Sequence, residues 1–204
     1  WDIGPGDEVI VPSNTYVATA LAVTEAGAKV VFAEPDAATH NLDPERFEAV
    51  ISPRTRAVIP VHLYGLPADM EPINAIAARR GINVLEDAAQ AHGAIYRGRK
   101  CGALASAAGF SFYPTKNLGA FGDAGAVTTD ETDLADKVRV LRNYGSRIKY
   151  RNERLGVNSR LDAIQAAVLR VKLPRVDAWI ARRRAVAARY KAGLAGLPLS
   201  IPVE

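Results

Sequence analysis

Cysteine, methionine, histidine and aromatic residues are scarce in this sequence. Its 204 residues hold one Cys, one Met and three His, and Phe, Trp and Tyr together make up 7%. One cysteine cannot close an internal disulfide, so the chain is not a stapled secreted scaffold, and it fits a reducing cytoplasm. No apolar run approaches the roughly 18 residues that a membrane span needs. The opening WDIGPGDEVIV carries neither a basic leader region nor an apolar secretory core. GxxxxGK[ST] and HExxH are both absent, and the three His and one Cys are too scattered along the chain to suggest a metal site. With 49% hydrophobic and 24% charged residues, 16 Gly and 12 Pro, the composition is that of a globular protein and excludes disordered or collagenous classes.

The formal net charge of +4 conceals an imbalance. Residues 1–136 hold 10 Lys and Arg against 18 Asp and Glu, a balance of −8; residues 137–204 hold 16 against 4, a balance of +12. Such a basic segment is either a solvated helix face or a surface for nucleic acid, a phosphorylated ligand or an acidic partner.

Short apolar runs alternate with helical patterns over the first two-thirds. Strands are expected at Glu8–Pro12, Lys29–Ala33, Ala57–Val61, Ile82–Leu85, Gly109–Phe112 and Gly125–Thr129. Helices are expected at Thr15–Ala26, Pro44–Ile51, Met70–Arg80 and Glu131–Arg142, the second opened by Asp43 as cap and Pro44 at the first helical position. This alternation predicts an α/β domain with a mostly parallel sheet sandwiched by helices. The polar stretch NYGSRIKYRNERLGVNS then reads as a long loop, followed by helices over Arg160–Lys172 and Val176–Leu194 and a final LPLSIPVE that resembles the start of a strand.

Two residues stand where chemistry is done in such sheets. Asp87 follows INVL and opens EDAAQAHGA, so its carboxylate falls at a strand's carboxyl end, where α/β sheets bind ligands. Lys116 follows GFSF in SFYPTKNLGAFGDAG, where nearby apolar surface would desolvate its amine and make it nucleophilic. Gly119, Gly122 and Gly125 permit close backbone approach around it. Taken singly, Asp87 could instead cap a following helix, and Lys116 could be a surface lysine. The Tyr113/Lys116 pair is one residue short of the short-chain dehydrogenase spacing, and Pro114 breaks the helix that pair requires.

The segments PSNTYVATALAV, LEDAAQAHGA, GFSFYPTKNLGAFGDAGAV and NSRLDAIQAAVL, in that order, resemble the pyridoxal-phosphate-dependent sugar aminotransferases of the DegT/DnrJ/EryC1/StrS type. The resemblance runs over essentially the whole chain. It implies the large domain of an aspartate-aminotransferase-like (fold type I) enzyme over residues 1–175, lacking its N-terminal segment. Residues 176–204 would then be the connecting helix and the start of a truncated small C-terminal domain. It also implies a homodimer with its active site at the subunit interface, no nucleic acid and no membrane. The implied reaction is a ping-pong transfer of an amino group from glutamate to a nucleotide-linked keto sugar, with pyridoxamine phosphate as intermediate.

The resemblance gives each matched residue a role. Lys116 would carry pyridoxal phosphate as a Schiff base and move the proton, and Asp87 would hold the pyridine nitrogen protonated. Gln90, taken to lie on the same helical face as Asp87, would meet the ring hydroxyl, and Ser111 the phosphate. Tyr16 would stack on the ring. Asn158 would reach the phosphate of the partner subunit's cofactor. His92 is either a substrate-pocket residue or a structural histidine, and His62 has the same two readings. Arg147 and Lys149, in the loop before Asn158, would approach the nucleotide diphosphate. Related dehydratases carry His in place of this lysine, so Lys116 favours transfer over dehydration. A non-catalytic binding protein would have no need of Asp87 as an electron-sink partner.

Overall fold

The alternation resolves into a six-stranded sheet in the computed structural model, which describes residues 1–203. The elements are β1 (Glu8–Pro12), α1 (Val17–Glu25), β2 (Lys29–Ala33), α2 (Pro44–Ala49), β3 (Thr55–Val58), α3 (Met70–Arg80) and β4 (Asn83–Asp87). They continue as β5 (Ile95–Tyr96), β6 (Arg99–Lys100), β7 (Ala107–Ser111), β8 (Gly125–Thr128), α4 (Thr132–Leu141), β9 (Ser146–Ile148), β10 (Arg151–Asn152), α5 (Ala163–Lys172) and α6 (Val176–Gly193). The sheet order is β2-β1-β3-β4-β7-β8, parallel throughout except that β8 runs antiparallel to β7.

The side-chain alternation of β1 explains why both faces are covered. Val9 and Val11 point to one face, where they pack with Val23 of α1, Ala57 and Ile59. Ile10 points to the other, into a cluster with Phe47 of α2 and Met70 and Ile73 of α3. Each such side chain contributes about 1.5–3 kcal/mol by leaving water. The helix starts follow from their caps: Asp43 Oδ1 accepts from the Glu45 amide at 2.8 Å, and Asp162 Oδ1 from that of Ile164 at 2.8 Å. The Asp162 cap opens α5 at Ala163 rather than at Arg160.

Three local expectations are corrected. β3 ends at Val58 because Pro60 has no N–H for the ladder, and Val61 continues only as an isolated bridge to Asp87. The stretch 143–159 is no plain loop: it holds the β9–β10 hairpin, tied back by the Val157 amide to the Leu141 carbonyl at 2.8 Å. Backbones meet directly there, since a Cβ on Gly145 would strike the Arg154 carbonyl and one on Gly156 the Gly145 amide. Residues 197–203 form no strand, and Glu204 lies outside the described residues.

The segment after β7 is set on its own small core. Leu118 and Ala120 pack against Leu169 of α5 and Val176 of α6, with Phe112 and Trp179 alongside. This packing fixes the backbone that carries Lys116.

Candidate functional site

β4 and β7 are neighbours, and Asp87 pairs with Gly109 at their carboxyl ends. Ser111 ends β7 two residues later, and Lys116 follows after a turn closed by its amide on the Tyr113 carbonyl at 2.9 Å. That turn needs Gly119, where a Cβ would strike the Pro114 carbonyl; at Gly125 a Cβ would come within 2.8 Å of the Phe110 carbonyl. Gly122 is different, because its nearest neighbour would be the Gln165 side chain at an ordinary 3.6 Å. Asp87, Gln90, Ser111, Lys116 and Tyr16 all border one cavity of about 1600 Å³.

The polar contacts settle what each group has left to offer. Asp87 is half-buried, with Oδ2 accepting from the Thr19 hydroxyl at 2.7 Å and Oδ1 from the Ala89 amide at 3.1 Å. Gln90 Oε1 accepts from the Tyr64 amide at 2.6 Å, so its Nε2 remains as a donor toward the cavity. Ser111 Oγ accepts from the Tyr113 amide at 3.3 Å, leaving the hydroxyl hydrogen free to donate. Lys116 is half-buried, and its ammonium makes no hydrogen bond or ion pair among the described residues. Tyr16, at the N-cap of α1, is 74% exposed.

Beneath this floor lies a buried polar cluster. His62 Nδ1 accepts from the Ala68 amide at 3.1 Å, so the proton sits on Nε2 and is donated to Glu86 Oε2 at 2.9 Å. Glu86 also accepts the amides of Gly102, Leu104 and Ala105 at 2.7, 2.7 and 3.0 Å. Burial opposes its ionisation, yet the His62 N–H and these amides outweigh it and hold the carboxyl below its ordinary range. Cys101 joins them, its thiol pushed up to about 12 by burial and then by Glu86. The fold thus gathers His62, Glu86 and Cys101, with ligating atoms within 4.8 Å of one another, from positions scattered in sequence. Both imidazole nitrogens are already in hydrogen bonds, so the group acts as a polar tie between β4 and the 101–105 turn.

A sequence profile of the DegT/DnrJ/EryC1/StrS aminotransferase family matches residues 1–204, the whole chain. The chain belongs to this family. It is 59% identical over 202 residues to dTDP-3-amino-3,4,6-trideoxy-alpha-D-glucose transaminase of Streptomyces venezuelae, covering 98% of this chain and 53% of that one. It is 57% identical over 190 residues to dTDP-3-amino-3,6-dideoxy-alpha-D-galactopyranose transaminase of Aneurinibacillus thermoaerophilus, covering 93% and 52%. The fold superposes on the crystal structure of S. venezuelae DesV in complex with a ketimine intermediate with a TM-score of 0.96 at 58% identity, over 99% of this chain and 55% of that one. The chain therefore spans about half the length of the curated relatives it matches.

The cofactor of these aminotransferases is pyridoxal phosphate, and the residues gathered here fit it. An anionic acceptor, an unpaired amine, an amide donor, a hydroxyl donor and an uncovered aromatic ring converge on one hollow.

Not every expected residue is there. Gln90 arrives by a turn rather than a helical face: the Ala91 amide bonds the Ala88 carbonyl at 3.0 Å, and no helix follows β4. His92 is buried but does not border the cavity, sitting instead against the rings of Phe110 and Phe112 at 5.4 and 5.7 Å. Burial, with Lys116 adding to it and the Ser111 backbone opposing, holds its imidazole below the ordinary histidine range; neither ring nitrogen has a well-formed hydrogen bond. His62 is structural, as described. Arg147 turns to Asp136 and Glu153 at 3.6 and 3.5 Å, and Lys149 lies over the Tyr150 ring at 5.0 Å, so neither reaches the cavity within this chain.

Asn158 does border this chain's own cavity, beside Arg160. Sequence reasoning missed Arg139, Arg142 and Arg160, which border it from the same basic third. It also missed Thr15 and Thr19. Their four-residue spacing in TYVAT was the available signal, since on a helix it stacks two hydroxyls on one side.

Proposed function

We propose that this chain is the cofactor-binding portion of a pyridoxal-phosphate-dependent aminotransferase that moves an amino group from glutamate to a nucleotide-linked keto sugar in deoxysugar biosynthesis. One observation carries the reading: in a chain of this family, an unpaired Lys116 amine and the Asp87 carboxylate border one cavity at the ends of adjacent strands. When bound, the cofactor supplies an electron sink for the bond-breaking at the amino-bearing carbon. Lys116 anchors it through Nζ and, once displaced by the incoming amine, holds and returns a proton at that nitrogen. Asp87 offers its remaining lone pairs to a protonated ring nitrogen, and Gln90 Nε2 donates to the neighbouring ring oxygen. Ser111 binds phosphate oxygens, Asn158 reaches the phosphate of the partner subunit's cofactor, and Tyr16 covers one ring face. The overall exchange is balanced: glutamate leaves as 2-oxoglutarate, and the oxo oxygen of the sugar is replaced by the amino group.

The arginines at the rim suit an anionic sugar nucleotide, and both transaminases compared above carry dTDP-linked amino sugars in their names. Residues 1–175 form the large domain in this reading, and 176–204 lead into a second one. The active protein is a homodimer. Leu155 and Ile164, which flank Asn158 in sequence, are 97% and 71% exposed and offer apolar surface for that contact. The compartment is the cytoplasm in this reading, which the single buried Cys101 suits; among the described residues no helix is long and apolar enough to cross a membrane.

The full-length protein, incubated with pyridoxal phosphate and reduced with borohydride, should carry the label on Lys116 by peptide mass. Lys116→Ala should lose it and slow transfer by at least about 10²–10⁴-fold. Glutamate with a panel of dTDP- and UDP-linked keto sugars should yield an aminated product by mass. Labelling at another lysine, or no product across the panel, would refute the assignment.

A further inference from the structure

Thr19 stands in the first turn of α1, 5% exposed, with its amide on the Tyr16 carbonyl at 3.1 Å. With no earlier turn of its own helix to bond back to, its hydroxyl reaches across 68 positions to Asp87 Oδ2 at 2.7 Å, and a second hydroxyl, that of Thr15, lies 3.0 Å from it. The hydrogens along this chain have only one arrangement. An ionised carboxylate can only accept, so the single hydrogen of Thr19 goes to Asp87. The Thr15–Thr19 contact must then run with Thr15 as donor. Asp87 Oδ1 is meanwhile held by the Ala89 amide at 3.1 Å, from its own turn. Two elements far apart in sequence therefore fix the plane of one carboxylate, and its lone pairs not used by them face the cavity.

We propose that Thr19, backed by Thr15, is a positioning residue: its hydroxyl orients the Asp87 carboxylate, so that it holds a protonated heteroaromatic nitrogen. The inference rests on the reading of Asp87 given above. The Thr19 hydroxyl thus bonds the carboxylate that borders the cavity.

The test uses the full-length protein and pyridoxal phosphate as probe. Thr19→Val keeps the β-branched shape and removes the donor. It should weaken cofactor binding about 10- to 100-fold and lower the pH at which the bound ring nitrogen loses its proton, read from the visible absorbance. Thr19→Ser should restore both. Thr15→Val should shift both the same way, by about 2- to 10-fold in affinity. Thermal unfolding without cofactor separates folding from positioning. A Thr19→Val protein that unfolds more easily but binds and titrates as wild type overturns the proposal, as does failure of Thr19→Ser to rescue. Wild-type protein that takes up no pyridoxal phosphate overturns the reading of the site itself.

Discussion

The body of the molecule up to Thr129 and the stretch beyond Leu141 are ordered by different means. In the body, sheet and helices bury Ile10, Val11, Phe47, Val58 and Met70 almost completely, and the buried Glu86 is matched by four donors. Beyond Leu141 the apolar side chains stay largely outside: Leu155, Ile164, Val171 and Tyr190 are all exposed, and α6 from residue 181 onward is exposed on every side. What shapes this second region is backbone meeting backbone at Gly145 and Gly156, the Asp162 cap and the small contact of Leu169 and Val176 with the lysine loop. One region is held by removal of apolar surface from water, the other by local hydrogen bonding and close approach. The charge imbalance follows the same line. The acidic body contains the buried carboxylates, and the basic remainder presents its cations to solvent and to the cavity rim.

Three substitutions test the contrast, the most disruptive first. Glu86→Ala strips His62 and three backbone amides, that of Leu104 buried and those of Gly102 and Ala105 partly so, of their acceptor, and should destabilise the protein by about 3–5 kcal/mol in denaturant unfolding. A loss below about 1 kcal/mol would show that the polar tie adds little to the apolar core that holds the body. Gly145→Ala puts a Cβ against the Arg154 carbonyl at a positive φ of 72° and should cost about 1–3 kcal/mol. Hydrogen exchange should locate that loss in residues 143–159 and leave β1, β3 and β4 protected; uniform loss across the sheet would erase the distinction between the regions. Arg147→Ala, which removes two exposed ion pairs of 3.5 and 3.6 Å, should change stability by no more than about 0.5 kcal/mol. A larger effect would give the basic hairpin a structural weight that its exposure argues against.

Legibility in the sequence divides along similar lines. Asp87 and Lys116 stand out in the sequence because each lies just beyond an apolar run: Asp87 ends β4, and Lys116 comes one turn after β7, so local pattern suffices to single them out. The runs EVIVP and KVVFA match β1 and β2 residue for residue: β1 is buried at every position, and β2, at the sheet's edge with Phe32 exposed, still reads as an apolar run bounded by polar turns. Gln90 borders the cavity, but not by way of a helical face. Helical periodicity was assumed after β4, whereas the Asp87 carboxylate binds the Ala89 amide and turns the chain instead. Arg147 and Lys149 were selected by charge and by nearness to Asn158 in sequence. The hairpin turns Arg147 to Asp136 and Glu153 and lays Lys149 over the Tyr150 ring, and Arg139, Arg142 and Arg160 border the cavity in their place.

The sequence by itself determined the strand and helix alternation, the cap at Asp43, the family and the two residues on which the proposed chemistry centres. These rest on local preferences and on contiguous motifs. Only the tertiary structure decided that Thr19 meets Asp87, that His62 and Cys101 close on Glu86, and that His92 lies below the site rather than in it. Those contacts join residues tens of positions apart. Their geometry depends on the order β2-β1-β3-β4-β7-β8 and on the depth of packing, which no local pattern encodes.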